Sequence, residues 1–206
     1  MILFLLEYLG TIAFAISGAM VGIQKKMDVF GVAILGLTTA MGGGVIRDLI
    51  LGLTPPSAFQ NPIFAVTAIS VGIILFIPSV RKAFENKTRF YENLILFMDS
   101  IGLGLFTVAG VQIAHLNVTD NNLFLITFVG VITGVGGGIL RDIFAGDKPY
   151  IFVKHFYASA SIIGAWCCAL LWKYIGEAQA MIVGAILTVV LRLLAAHYRW
   201  ELPKAD

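Results

Sequence analysis

Charge is what this chain has least of. Only 13% of its 206 residues are Asp, Glu, Lys or Arg, against roughly 25% in an ordinary soluble domain. With 59% hydrophobic residues and a mean hydropathy of +0.92, no room is left for a second, soluble domain. The net charge of +2 carries no reading toward nucleic acid. Cysteine is nearly missing: Cys167 and Cys168 are adjacent in one apolar run, which suits packing and neither a disulfide framework nor a metal site. His115, His155 and His197 are scattered near segment ends with no metal-ligand spacing, and no Ser/His/Asp or Cys/His grouping stands out. Neither an enzyme nor a resident metal or cofactor is expected. A basic leader is also lacking, since Glu7 is the only charged side chain before Lys25; the first apolar run reads as a retained span rather than a signal peptide. Period-two alternation is missing, which argues against a β-barrel.

What is present is a series of long apolar runs. About 20 such residues cross the hydrocarbon layer. Seven segments qualify, near 2–24, 28–53, 58–80, 94–116, 122–147, 152–174 and 178–199. The expected fold class is an all-α integral membrane protein with seven transmembrane helices. Lys25, Lys26, Arg81, Lys82, Lys87, Arg89, Lys148, Lys154, Arg199 and Lys204 follow the odd-numbered segments, and only Lys173 lies on the other side. That bias places the N-terminus outside and the C-terminus in the cytoplasm of a cell inner membrane.

One motif occurs twice. Residues 41–48 read Met-Gly-Gly-Gly-Val-Ile-Arg-Asp and residues 135–142 read Val-Gly-Gly-Gly-Ile-Leu-Arg-Asp. The same offset carries Gly36, Thr39, Gly52 and Pro55 onto Gly130, Thr133, Gly146 and Pro149. Upstream, an offset shorter by two residues carries Glu7, Gly10, Phe14 and Gly18 onto Asp99, Gly102, Phe106 and Gly110. Residues 1–80 and 94–174 are therefore two copies of a three-span element, joined by a charged linker at 81–93. A seventh helix and tail occupy 175–206. Three spans is an odd number, so consecutive copies insert with opposite topology, an arrangement common in transporters.

Each copy places glycine and charge inside apolar sequence. Gly42, Gly43 and Gly44, with Gly136, Gly137 and Gly138, read either as close helix packing or as helix breaks whose freed carbonyls line a pathway; matched interruptions in the two copies favour the pathway. They are not nucleotide loops, lacking the Gly-Lys-Ser/Thr ending and the third spaced glycine. Arg47, Asp48, Arg141 and Asp142 are costly in a bilayer unless paired or wet. Neighbours on a helix do not face each other, so a swapped pairing is expected, Arg47 near Asp142 or Arg141 near Asp48. The arginines serve either as gates or as locks between the copies. Glu7 and Asp99 read as interfacial carboxylates, or as acidic vestibules that concentrate cations. Ser17, Thr38, Thr39, Thr107 and Thr133 are candidate pore-lining groups, each alone also able to bond its own helix. Arg192 reads as a snorkelling side chain near a span end.

With these residues in view, the chain resembles the prokaryotic branch of the trimeric intracellular cation channel family, which overlaps sequences described as glycine transporters. The resemblance covers nearly the whole chain and rests on the duplicated Gly-Gly-Gly-x-x-Arg-Asp. It implies a homotrimer with one pore per protomer, second and fifth helices kinked at the triplets, and passage of monovalent cations, potassium among them. Its partners would be those cations and membrane lipid, with no nucleic acid. In animal members a basic Lys-Glu-Val segment engages a phosphoinositide; Arg47-Asp48 stands near that place here. The resulting expectation is a passive cation channel running between the two copies. The rival is a secondary transporter of a small zwitterion such as glycine, with Asp48 or Asp142 holding the amine.

Overall fold

The computed structural model describes residues 2–85, 88–118, 122–153 and 156–200. Of the groups used above, Lys87, Lys154, His155 and Lys204 lie outside the described residues, as do residues 201–206 of the tail. Among the described residues every regular element is helical. In chain order these are α1 (Ile2–Gln24), α2 (Val29–Ile50), α3 (Ser57–Gln60), α4 (Pro62–Phe76), α5 (Pro78–Glu85), α6 (Thr88–Asn117), α7 (Leu123–Phe144), α8 (Tyr150–Val153), α9 (Tyr157–Ile175) and α10 (Glu177–His197).

Six of these, α1, α2, α6, α7, α9 and α10, are long and apolar enough to cross a membrane. The third segment differs from the sequence reading. Asn61 caps α4 by accepting from the Ile63 amide, with Pro62 at its first turn. Ile77 is extended ahead of Pro78, as the residue before a proline prefers. The continuous part is therefore Pro62–Phe76, whose 15 residues span only about 22 Å at 1.5 Å each. Within 81–93 the described residues are helical, in α5 and the first turns of α6.

α2 and α7 end in the same way, and the repeated sequence explains why. Gly52 (φ +70°) and Gly146 (φ +74°) adopt left-handed backbone, where glycine is at home. The following amides then fold back, Leu53 N–H to the Asp48 carbonyl (2.8 Å) and Asp147 N–H to the Asp142 carbonyl (2.9 Å). Such a cap satisfies carbonyls that would otherwise be orphaned at a helix end. Asp28 and Asn122 cap the two starts.

The centre is built from α1, α2, α6 and α7, with α4 on one flank and the α9–α10 pair on the other. The glycine triplets are not unwound: α2 and α7 run as unbroken α-helix through 42–44 and 136–138. This corrects the expected helix breaks. The physical reason is contact. A Cβ on Gly43 would fall on the Thr133 carbonyl oxygen, and one on Gly137 on the Thr39 carbonyl oxygen. The two backbones cross here with no side chain between them. Around the crossing the copies exchange contacts reciprocally. Gly10 faces the Phe106 ring and Gly102 the Phe14 ring, and the two rings stack at 5.3 Å. Within each copy, Gly18 faces the Thr39 hydroxyl and Gly110 the Thr133 hydroxyl.

The ends of the bundle are identified by two ties. Lys25 pairs with Asp147 at 2.6 Å, and the Tyr91 hydroxyl donates to the Met20 carbonyl at 2.6 Å. The end of α1, the start of α6 and the turn after α7 therefore share one end. Glu7 lies 18 residues before Lys25, about 27 Å up the helix at 1.5 Å per residue, toward the other end.

Gly43→Ala and Gly137→Ala are each expected to lower stability by about 1–3 kcal/mol, the usual cost of overpacking. Gly44→Ala, whose Cβ would meet nothing nearer than Arg47 at 3.7 Å, should be neutral or slightly stabilising. Thermal unfolding of the three variants in detergent checks this contrast.

Candidate functional site

Two buried charge networks flank the crossing. In the first, Arg47 of α2 curls back along its own helix. Its Nε donates to Asp48 Oδ1 (2.7 Å), Nη1 to Glu7 Oε1 (3.0 Å) and Nη2 to Ser57 Oγ (3.0 Å). Asp48 Oδ2 accepts from the Ser57 amide (2.7 Å) and hydroxyl (2.6 Å). In the second, Arg141 Nε donates to Asp142 Oδ1 (2.9 Å), and Nη1 donates to Asp99 Oδ1 (2.6 Å) and to Ser17 Oγ (2.7 Å). Asp142 Oδ2 accepts from the Tyr150 amide (2.7 Å). The Arg141 guanidinium lies 5.3 Å from the Tyr150 ring centre.

The swapped pairing expected from sequence does not occur. Each arginine holds the aspartate next to it, because the long side chain turns its Nε edge back over the helix end. The second partner comes from the first long helix of its own copy. Glu7 and Asp99 are therefore the arginines' partners, the first part-buried and the second buried, at 19% and 1% side-chain exposure, and not free interfacial carboxylates. Ser17 alone among these residues bonds across the copies. Each network holds one guanidinium and two carboxylates. Burying a charge is tolerable only when it is paired and hydrogen-bonded, as each guanidinium is here.

The threonines are placed less uniformly. Thr39 and Thr133 donate to the Leu35 and Val129 carbonyls of their own helices (both 2.6 Å), while presenting their oxygens to Gly18 and Gly110. Thr107 pairs with Ser161 at 2.7 Å. Thr38 is half-buried. Two residues missed in sequence complete the networks, Ser57 and Tyr157. The Tyr157 hydroxyl donates to Asp99 Oδ1 at 3.4 Å. Neither carries a signal in the repeat, since neither has a like residue at the matching position. Arg192 is a further correction: it is 1% exposed and lies 5.0 Å from the Tyr157 ring centre, turned into the bundle instead of snorkelling.

A cavity adjoins each end. The first, about 60 Å³, is lined by Glu7, Thr11, Arg47, Ser57 and Phe106 among others. The second, about 310 Å³, is lined by Gln24, Glu92, Asn93, Tyr150 and Arg192 among others. Its lining residues come from the same end of the bundle as the Lys25–Asp147 tie.

The fold and the paired charge networks define an all-helical integral membrane protein with polar groups held at both ends of a helix crossing. The chain belongs to the family described as glycine transporter, which matches residues 4–79 and 96–173. It is 35% identical to a UPF0126 membrane protein of Deinococcus radiodurans, over 96% of this chain and 89% of that one. It is 36% identical to the UPF0126 inner membrane protein YadS of Escherichia coli, over 98% and 96%. Among solved structures it shares the fold of the prokaryotic TRIC channels. A TRIC cation channel studied for its conductance matches with TM-score 0.83 and 37% identity, over 98% of this chain and 96% of that one. A prokaryotic TRIC channel in 0.5 M KCl matches with TM-score 0.88 and 29% identity, over 98% and 99%. The TRIC trimeric intracellular cation channel orthologue from Rhodobacter sphaeroides matches with TM-score 0.86 and 30% identity, over 97% and 99%.

Asp99→Ala is expected to cost about 3 kcal/mol, the scale for stranding a buried charge. Glu7→Ala should cost less, because its Arg47 partner stands beside the cavity and can take water. Chemical unfolding of the two variants in detergent measures the difference.

Proposed function

We propose that the protein is a passive channel for monovalent cations, potassium included, with one path in each protomer of a homotrimer. The observation that carries this reading is the pair of networks, each with one more carboxylate than guanidinium, at opposite ends of the α2–α7 crossing and each beside a cavity. An excess of carboxylate in a low-dielectric wall concentrates cations and repels anions. Similarity to solved TRIC cation channels across nearly the whole chain supports it.

In this reading 1–80 and 94–174 are inverted three-helix repeats, α4 serves as a short third span, and 175–206 adds the seventh helix and tail. The reciprocal contacts around Gly43 and Gly137 support the inversion. The basic residues put the N-terminus outside and the C-terminus in the cytoplasm. The path follows α1, α2, α6 and α7 past Ser17, Thr38, Thr39, Thr107 and Thr133. The glycine triplets bring the pore helices together instead of offering carbonyls. Arg47 with Asp48, and Arg141 with Asp142, act as gates at the two ends, and Glu7 and Asp99 supply the charge that draws cations in.

Planar-bilayer recording of the purified protein under a potassium chloride gradient tests the proposal. Discrete current steps reversing near the potassium equilibrium potential are expected. Silence at all voltages, together with glycine uptake into proteoliposomes that follows an ion gradient, would contradict it.

A further inference from the structure

The two networks come from one repeated sequence, yet their surroundings are unequal. Beside Arg47 the third-span element bonds only through the small Ser57, and although Phe64 of α4 also lines the site, a cavity of about 60 Å³ remains open next to Glu7. Beside Arg141 the corresponding space is taken by the ring of Tyr157, 3% exposed. The glycines report the same asymmetry. A Cβ on Gly138 would lie 2.6 Å from the Tyr157 hydroxyl, whereas one on Gly44 meets only Arg47 at 3.7 Å.

Tyr157 is itself covered from behind. Arg192 lies over its ring at 5.0 Å, close enough for a cation–π attraction in a dry site. Arg192 also lines the cavity of about 310 Å³, together with Tyr150, whose ring carries the Arg141 guanidinium. The cavity thus ends on the two side chains that back the second network. Arg192 belongs to α10, which has no counterpart in the repeat, so the first network lacks any such cover. On the far side of Tyr157, the buried Oδ2 of Asp99 has no hydrogen-bond donor. That oxygen is half of a carboxylate held ready for a cation or a water, with the tyrosine hydroxyl on its other oxygen.

We propose that Tyr157 is the plug that closes the second-copy end of the path, and that Arg192 positions it, so that α10 makes the two ends of a repeated structure functionally unequal. The proposal rests on the channel reading above. Withdrawal of the Tyr157 ring toward the larger cavity would join that cavity to Asp99 and offer its free oxygen to the permeating cation. The first-copy end needs no such movement to admit a small ion as far as Glu7.

The test uses two readouts on the full-length protein. One is open probability in planar bilayers. The other is labelling of Ser17→Cys by a membrane-impermeant thiol reagent added from the side of residues 24 and 92, with Cys167 and Cys168 replaced by alanine. Tyr157→Ala should raise both. Arg192→Met, which keeps the tyrosine, should raise open probability by about thirtyfold, the factor that goes with one desolvated cation–π contact. Arg192→Lys should restore closure, which a merely structural role would not require. If Tyr157→Ala fails to fold, Arg192→Met alone decides. Wild-type open probability and wild-type labelling in the folded variants would overturn the plug while leaving the channel standing. Raised labelling with no current in any protein would support the plug and remove the channel.

Discussion

Two helix backbones touch at Gly43 and Gly137, and the remainder of the centre is arranged by that approach. A single Cβ on either residue would collide with a carbonyl of the other helix. In lipid the hydrophobic effect gives helices little reason to associate, so close backbone packing supplies much of the attraction. The crossing also sets the geometry of everything around it. It brings Phe14 and Phe106 into a stack over Gly102 and Gly10, and places Thr39 and Thr133 against Gly18 and Gly110. It leaves the Arg-Asp pairs one turn beyond, at the two ends of the contact. The α9–α10 pair repeats the device with Gly164 and Gly184, whose added Cβ atoms would each meet the other's carbonyl.

Buried charge is then the second constraint. An unpaired arginine in this interior would cost several kcal/mol, and both Arg47 and Arg141 are 1% exposed. Each is met by two carboxylates and a hydroxyl. The ion pairs are local to each copy, while the Ser17 hydroxyl on Arg141 and the glycine contacts join the two copies to each other.

Much of this was legible in the sequence because a repeat doubles every signal. The offset between the two Gly-Gly-Gly-x-x-Arg-Asp motifs names the crossing residues, and the matching Glu7 and Asp99 name the arginines' partners, though not as partners. What the sequence could not convey was direction. A glycine triplet is compatible with an unwound helix or with a close contact, and only the position of Thr133 and Thr39 on the opposite helix decides. An adjacent Arg-Asp looks unable to pair if side chains are taken to point straight out; the flexible guanidinium evades that rule. Asymmetric residues were least visible. Ser57, Tyr157 and Arg192 have no like residue at the matching position, so comparison of the copies passes over them. Pro78 and the Asn61–Pro62 cap are stop signals that the reading of 58–80 as one continuous segment passed over.

The location of the path is the point on which the functional reading stands. Anomalous scattering from crystals soaked in thallium nitrate would show it, since thallium follows potassium. The reading predicts density inside each protomer, in the cavity beside Glu7 and in the cavity beside Glu92, on either side of the Gly43–Gly137 crossing. Density confined to sites between protomers, with both cavities empty of thallium, would contradict it.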